Sequence, residues 1–232
     1  MLGYQTSETH SFRPQSSRIS ISPPIGSTLD ERMAYASVRK LESKEHVFCE
    51  GDPRLHVFRV EEGVIAIYKT LCDGRRRIID FAYPGDLIGL GALEEHILSA
   101  QATCTSKVRC LSASALEAFA ETDANLALKL YKSVCQELAA TRSLLVTVGQ
   151  RSAVERVASF LLALHRRSGD ADGSTVTLAM RRSDIADLLG LTIETVSRTL
   201  TKLRTMGVIE VEQGGTTVTL CDVARLADLA NE

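Results

Sequence analysis

The sequence predicts an α+β fold: an N-terminal antiparallel β-barrel or jelly roll, then a long helix, then a C-terminal winged helix-turn-helix. Three observations predict it. From about Lys44 to Ser112, short apolar runs alternate with turns marked by glycine and proline, a spacing that suits antiparallel strands better than strands joined by crossover helices. Beyond Ala113 the apolar residues change to helical spacing. Between Ser183 and Gly207 two amphipathic segments meet at Gly190, the pattern of two short helices joined by a tight turn.

In the first half, Val57-Phe58-Arg59-Val60 and Val64-Ile65-Ala66-Ile67-Tyr68 flank the turn Glu61-Glu62-Gly63. Glycine there removes the side-chain barrier to a sharp reversal. A second turn at Cys72-Asp73-Gly74 precedes a strand from Arg75 to Phe81, and Tyr83-Pro84-Gly85-Asp86 breaks the pattern before Leu87 to Leu90. Ser114 to Phe119 can form a short helix, and Asp123 can cap the next one.

In that long helix Leu126, Leu130, Val134, Leu138, Leu145 and Val148 form an apolar stripe interrupted by Thr141. The stripe suits pairing with the same helix of a second copy, and Thr141 belongs to that seam. Packing against the chain's own strands is the alternative, because a stripe alone does not name its partner. Gly149 marks the helix end, and Ala153 to His165 opens the last domain with Val157, Phe160, Leu161 and Leu164 facing inward. Arg166 to Ser174 is a polar connector. After Met206-Gly207, Val208 to Val211 and Thr217 to Leu220 flank Gly214-Gly215 as a two-stranded wing, and Asp222 to Leu229 forms a closing helix. The expected units are an arm at 1–27, a sensor-like barrel at 28–121, a dimerisation helix at 122–149 and a DNA-binding domain at 150–232.

Composition removes several classes. The chain of 232 residues carries 27 basic and 29 acidic side chains, which argues against nonspecific coating of nucleic acid while allowing a local basic surface. No apolar run approaches the roughly 18 residues that suggest a membrane span. The arm, with Arg13, Pro14, Arg18, Pro23 and Pro24 among serines and threonines, lacks the apolar core of a secretory signal and reads as flexible. Cytoplasmic residence without a membrane partner is the expectation. The six cysteines, Cys49, Cys72, Cys104, Cys110, Cys135 and Cys221, are dispersed without a CxxC pair and read as reduced thiols. No nucleophile–base pair or phosphate-binding glycine loop suggests an enzyme.

The helix-turn-helix carries the functional reading. Ile185, Ala186, Leu188 and Leu189 give the first helix its packing face, and Thr192 can cap the second. Val196, Leu200 and Leu203 form the inner face of that second helix, while Glu194, Ser197 and Arg198 lie on another face near its start. Those early positions face base edges in a helix-turn-helix. Glu194 can accept from cytosine N4, Arg198 can donate twice to guanine O6 and N7, and Ser197 can meet a base edge or a thymine methyl. The alternative is a solvent-facing Glu194–Arg198 ion pair, worth a few tenths of a kcal/mol. Ile193 could touch a thymine methyl. Arg181, Arg182, Ser183, Lys202 and Arg204 are candidate phosphate contacts, with Thr192, Thr195 and Thr199 ranked behind them. Ser183 can also cap the first helix.

These residues give the chain its resemblance to the Crp/Fnr family of bacterial transcription regulators, over almost its whole length beyond the arm. Pro84-Gly-Asp-Leu-Ile-Gly89 looks like the family's barrel segment, and Leu188-Leu-Gly-Leu-Thr-Ile-Glu-Thr-Val-Ser-Arg198 matches its DNA-reading motif. The resemblance is nearest to the FixK-type branch, regulators of low-oxygen respiration and nitrogen fixation. It implies a homodimer with a cyclic-nucleotide-binding-like jelly roll, acting as an activator at palindromic double-stranded DNA related to TTGAT-N4-ATCAA and contacting RNA polymerase. Glu194, Ser197 and Arg198 match the family's base-reading Glu-x-x-Ser-Arg pattern.

The same resemblance sets expectations about signals. The arm lacks the cysteine cluster of an iron–sulfur branch. Leu98 stands where the cyclic-AMP branch places a phosphate-facing arginine, the ribose glutamate has no clean counterpart, and leucine cannot compensate a buried phosphate. Arg75, Arg76 and Arg77 read as ordinary solvent-facing charge on a hairpin. The expectation is a regulator with no cofactor, neither iron–sulfur cluster nor cyclic AMP, competent without a small effector. A module gated by some other small molecule is the alternative.

Overall fold

The computed structural model describes residues 28–91, 93–150, 152–168, 174–212 and 214–230, the side chains of 140 and 143–150 excepted. The arm at 1–27 lies outside the described residues. Helix α1 (Leu29–Tyr35) opens the described chain. Eight strands follow: β1 (Ser37–Leu41), β2 (His46–Phe48), β3 (His56–Glu62), β4 (Ile65–Thr70), β5 (Arg76–Ala82), β6 (Leu87–Ile88), β7 (Ser99–Ala102) and β8 (Ser106–Ser112). They form two four-stranded sheets, ordered β1-β8-β3-β6 and β2-β7-β4-β5, with every pairing antiparallel. Leu41, Phe48, Phe58, Val60, Ile65, Ala100 and Val108 belong to the buried cluster of this barrel, as the period-two burial along the strands requires.

The expected strands are present, with shifted ends. Val64 belongs to the turn, so β4 begins at Ile65. The reversal depends on Gly63, whose φ is +81°; a Cβ there would come within 2.2 Å of Ser106 Oγ and 2.7 Å of the Thr105 carbonyl. At Tyr83-Pro84-Gly85-Asp86 the Asp86 amide donates to the Tyr83 carbonyl (3.0 Å), and the Tyr83 amide donates to the Asp86 carboxylate (2.9 Å). Strand β6 is cut short after Ile88 because Gly89 turns to φ +81°.

Helix α2 (Ala113–Thr122) is capped by Ser112, and α3 (Ala124–Gln150) by Asp123, whose Oδ1 accepts the amides of Asn125 and Leu126. One expectation for α3 is corrected. Leu126 is buried in its own protomer, clustered with Leu29, Met33, Val57 and Leu116, and Leu130 packs on the same cluster. Among the described side chains of α3, the large apolar residues left open are Leu128 (50% exposed), Tyr131 (67%), Val134 (49%) and Leu138 (48%), the last three in one row. The reason is geometric: steps of four residues advance 400°, so the row Leu126–Leu130–Val134 drifts about 40° per step around the helix. Steps of three and four hold one face, and Tyr131, Val134, Leu138, Thr141, Leu145 and Val148 follow that rhythm in sequence. Thr141 is partly buried, with its hydroxyl donating to the Glu137 carbonyl (2.9 Å). The side chains of Leu145 and Val148 fall outside the described residues. Helix α3 thus packs on its own barrel through its first turns and leaves an apolar row open beyond them.

The C-terminal part comprises α4 (Ala153–Ser168), β9 (Thr175–Thr177), α5 (Arg182–Leu189), α6 (Ile193–Thr205), β10 (Ile209–Val211), β11 (Thr217–Leu220) and α7 (Val223–Ala230). The wing is three-stranded, ordered β10-β11-β9; the sequence reading missed β9, which is only three residues long. Val157, Phe160, Leu161 and Leu164 face inward as expected. Their cluster runs on to Val64, Ala66, Tyr68, Ile78 and Phe81 of the barrel, so apolar packing ties the two halves together. No helix among the described residues is long and apolar enough to cross a membrane.

Candidate nucleic-acid interface

Two helix ends shape the motif. Helix α5 stops at Gly190, which adopts φ +64° and ψ +41°. Its amide donates to the Ala186 carbonyl, and so does that of Leu191 (3.0 Å), pairing carbonyls that a helix C-terminus leaves open. From α4, Arg156 adds a donor to the Leu189 carbonyl (2.9 Å). Sequence alone did not reveal that role, because the two residues are 33 positions apart. Helix α6 starts at Thr192, whose hydroxyl accepts the Thr195 amide (3.2 Å) and lies 3.0 Å from the Thr195 hydroxyl.

The faces of α6 are sharply divided. Val196, Leu200 and Leu203 are at most 5% exposed and anchor the helix. Glu194, Ser197 and Arg198 are exposed away from that row, and Ile193 is exposed at the first turn, nearer the apolar side. The Glu194 carboxyl is held below the usual carboxylate range, first by the backbone amide at its own position and then by the Thr192 hydroxyl, with Arg198 adding a smaller pull. Glu194 is therefore an ionised acceptor at neutral pH.

Several candidate phosphate contacts are placed differently from expectation. Arg182 is half-buried and donates to the Gly215 carbonyl in the wing (2.8 Å); its Nη1 finds no partner among the described residues, and burial pulls its guanidinium below its ordinary range. It fastens the wing to α5. Thr199 is 6% exposed and packs inward, since position 199 turns with the apolar row. Ser183 is partly buried, and the first-turn cap of α5 comes instead from Asp184, whose carboxylate accepts the Arg181 amide (3.0 Å). The hydroxyls of Thr192 and Thr195 are engaged in the cap of α6. Arg181, Lys202 and Arg204 remain exposed. Thr201, which the sequence reading passed over, is exposed four residues after Ser197, its hydroxyl donating to the Ser197 carbonyl (3.0 Å).

A cavity of about 350 Å³ lies between barrel and α3. Asp80, Asp86, Leu98, His96, Glu137 and Arg167 are among its lining residues. The Asp80 side chain keeps an opening to solvent at the cavity, yet the protein packed around it pushes its carboxyl up to about 6, with Glu137 and Asp86 adding to the rise and Arg167 opposing it. Among the described residues no group of three or more His, Cys, Asp or Glu side chains could hold a metal ion.

A helix-turn-helix on a winged head, joined to a jelly roll by a long helix, defines a DNA-binding transcription regulator and not an enzyme. Residues 155–229 match the Crp-like helix-turn-helix domain, and residues 38–123 match the cyclic nucleotide-binding domain. The nitrogen fixation regulation protein FixK of Bradyrhizobium diazoefficiens is 43% identical over 190 residues, covering 81% of this chain and 79% of that protein. The chain belongs to the Crp/Fnr family, in its FixK branch. The transcriptional activatory protein AadR of Rhodopseudomonas palustris is 38% identical over 177 residues, covering 75% of this chain and 74% of that one. The solved structure of FixK2 from Bradyrhizobium japonicum superposes with a TM-score of 0.79 at 38% identity, covering 84% of this chain and 96% of that chain.

Proposed function

We propose that the protein is a homodimeric activator that reads a palindrome related to TTGAT-N4-ATCAA through Glu194, Ser197 and Arg198, with Ile193 beside them. The observation that carries this reading is the outward presentation of these four residues while Val196, Leu200 and Leu203 are buried. Arg198 is suited to guanine and the ionised Glu194 to the cytosine amino group. Arg181, Lys202 and Arg204 are the remaining cations for phosphate, holding register without reading sequence. The names of the FixK and AadR relatives support control of nitrogen-fixation-related genes and an activating role, and the resemblance adds the low-oxygen setting and contact with RNA polymerase. In this reading residues 28–121 are a sensor-like unit, 122–149 the dimerisation rod and 150–232 the DNA reader.

The reader is tested by equilibrium binding to matched and scrambled duplexes. Arg198→Ala loses roughly 1–3 kcal/mol per half-site on the matched duplex, with little change on the scrambled one. Lys202→Ala weakens both and lowers the salt slope. An equal loss for Arg198→Ala on both duplexes refutes base reading.

The regulator acts without cyclic AMP in this reading. Leu98, Asp80 and Glu137 line the cavity, and a phosphate brought beside carboxylates with no compensating arginine at position 98 is disfavoured. A second reading, gating by another small molecule, is favoured by the size of that cavity. Cyclic AMP leaves operator affinity unchanged in both; a low-molecular-mass cell extract changes it only in the second.

A further inference from the structure

We infer that Arg76 is a positioning residue for DNA binding: it locks the reading head to the barrel and so sets the separation of the two heads in a dimer. The inference rests on the palindrome-reading function proposed above. Arg76 lies on β5, in the basic run that sequence assigned to solvent. Its Nη2 pairs with Asp184 of α5 and lies 3.6 Å from Asp187 Oδ2 on the same helix. On the barrel side Nη1 donates to Gln101 Oε1 (2.9 Å), and the guanidinium sits 5.2 Å from the Tyr68 ring centroid. Gln101 is itself fixed by donating to the Lys44 carbonyl (2.9 Å).

A planar fork gripped on both sides transmits orientation better than a flexible point charge. The partner is also well chosen. The Asp184 side chain is only 8% exposed and already caps the start of α5, so the bond fixes the first helix of the motif. Two other ties, the Thr103 hydroxyl 2.9 Å from the Ala179 carbonyl and the Arg167–Asp86 pair, end outside that helix. Of these three polar ties, the one from Arg76 lands on the motif itself.

The consequence for binding is one of effective concentration. When one head is bound, the second finds its half-site efficiently only if the connection holds it at the right separation. Loosening the head lowers affinity for the whole palindrome, relaxes the demand on spacer length and leaves a single half-site unaffected.

The test uses the full chain with Arg76→Glu, which turns attraction to Asp184 and Asp187 into repulsion, and with Arg76→Lys. Binding is measured to a palindrome selected from random duplexes, to the same sequence with the spacer one base pair longer or shorter, and to one half-site. Arg76→Glu should bind the palindrome about tenfold more weakly, bind the half-site within twofold of the wild type, and lose most of the spacer preference. Arg76→Lys should keep part of it. An unchanged spacer preference in Arg76→Glu, including an equal loss on palindrome and half-site, overturns the inference.

Failure of the wild type to select any palindrome would count against the proposed function instead. The lock is then judged without DNA. Spin labels are placed at Cys72 on the barrel and Cys221 on the head, with Cys49, Cys104 and Cys135 changed to serine and unlabelled protein in excess. The wild type should give one narrow distance and Arg76→Glu a broad one; the same narrow distance in both overturns the inference.

Discussion

The divided role of α3 makes a quantitative prediction. Leu138 is 48% exposed, so about half of its side chain remains to be covered by a second copy. Full burial of a leucine stabilises by about 1.5–3 kcal/mol, which leaves about 1 kcal/mol per copy at this seam. A two-fold axis counts it twice, so Leu138→Ala should weaken the dimer by about 2 kcal/mol, roughly 30-fold in dissociation constant. Leu126, at 4% exposed, behaves differently. Leu126→Ala should cost the protomer about 2–5 kcal/mol of folding free energy through the cavity it leaves. Sedimentation equilibrium gives the dissociation constant. Unfolding followed by circular dichroism over a range of protein concentrations separates protomer stability from association; the absence of tryptophan makes fluorescence the poorer probe. The reasoning is refuted if Leu126→Ala weakens association as much as Leu138→Ala without a loss of protomer stability, or if Leu138→Ala leaves the dimer unchanged.

Two further substitutions probe the barrel. Asp80 has a folded-state pKa of about 6 because burial disfavours its charge, so the native protein holds an extra proton between about pH 4 and 6 and gains stability as pH falls through that window. Asp80→Asn should flatten this slope and stabilise the protein at pH 7 by about 1 kcal/mol, a figure reduced for the water that reaches the carboxylate; parallel stability curves for the two proteins would contradict it. Gly63→Ala should cost about 2–4 kcal/mol, from a positive φ and a close approach to Ser106 Oγ, and a melting temperature within 1 °C or so of wild type would show that the turn relaxes.

The parts legible in the sequence were those decided locally. Gly63, Gly190 and the run from Val196 to Leu203 announce their turn or face through residue type and spacing alone, and α6 lies where that pattern puts it. What stayed hidden depends on partners distant in the chain. Strand β9 is three residues whose paired strand, among the described residues, is the distant β11. The stripe of α3 read as one face because leucines at steps of four look continuous, although the helix carries Leu126 toward its own core. In sequence Arg182 read as a candidate phosphate contact and Arg76 as ordinary solvent-facing charge; the Gly215 carbonyl and the Asp184 carboxylate that engage them lie 33 and 108 positions away.

The cavity is walled in part by Ser133, Gln136, Glu137 and Thr141 of α3, and the neighbouring side of that helix leaves Val134 and Leu138 open for the proposed pairing with a second copy. Filling and pairing therefore press on the same rod from adjacent directions. By reciprocity, an occupant of both cavities that prefers one spacing of the two rods must tighten or loosen the pair by the square of the factor with which pairing alters its affinity at each site. A compound that fills both cavities of a pair and strengthens subunit association a hundredfold would itself be held about tenfold more tightly at each site by the associated form, so subunit exchange offers a screen for such compounds that needs no operator.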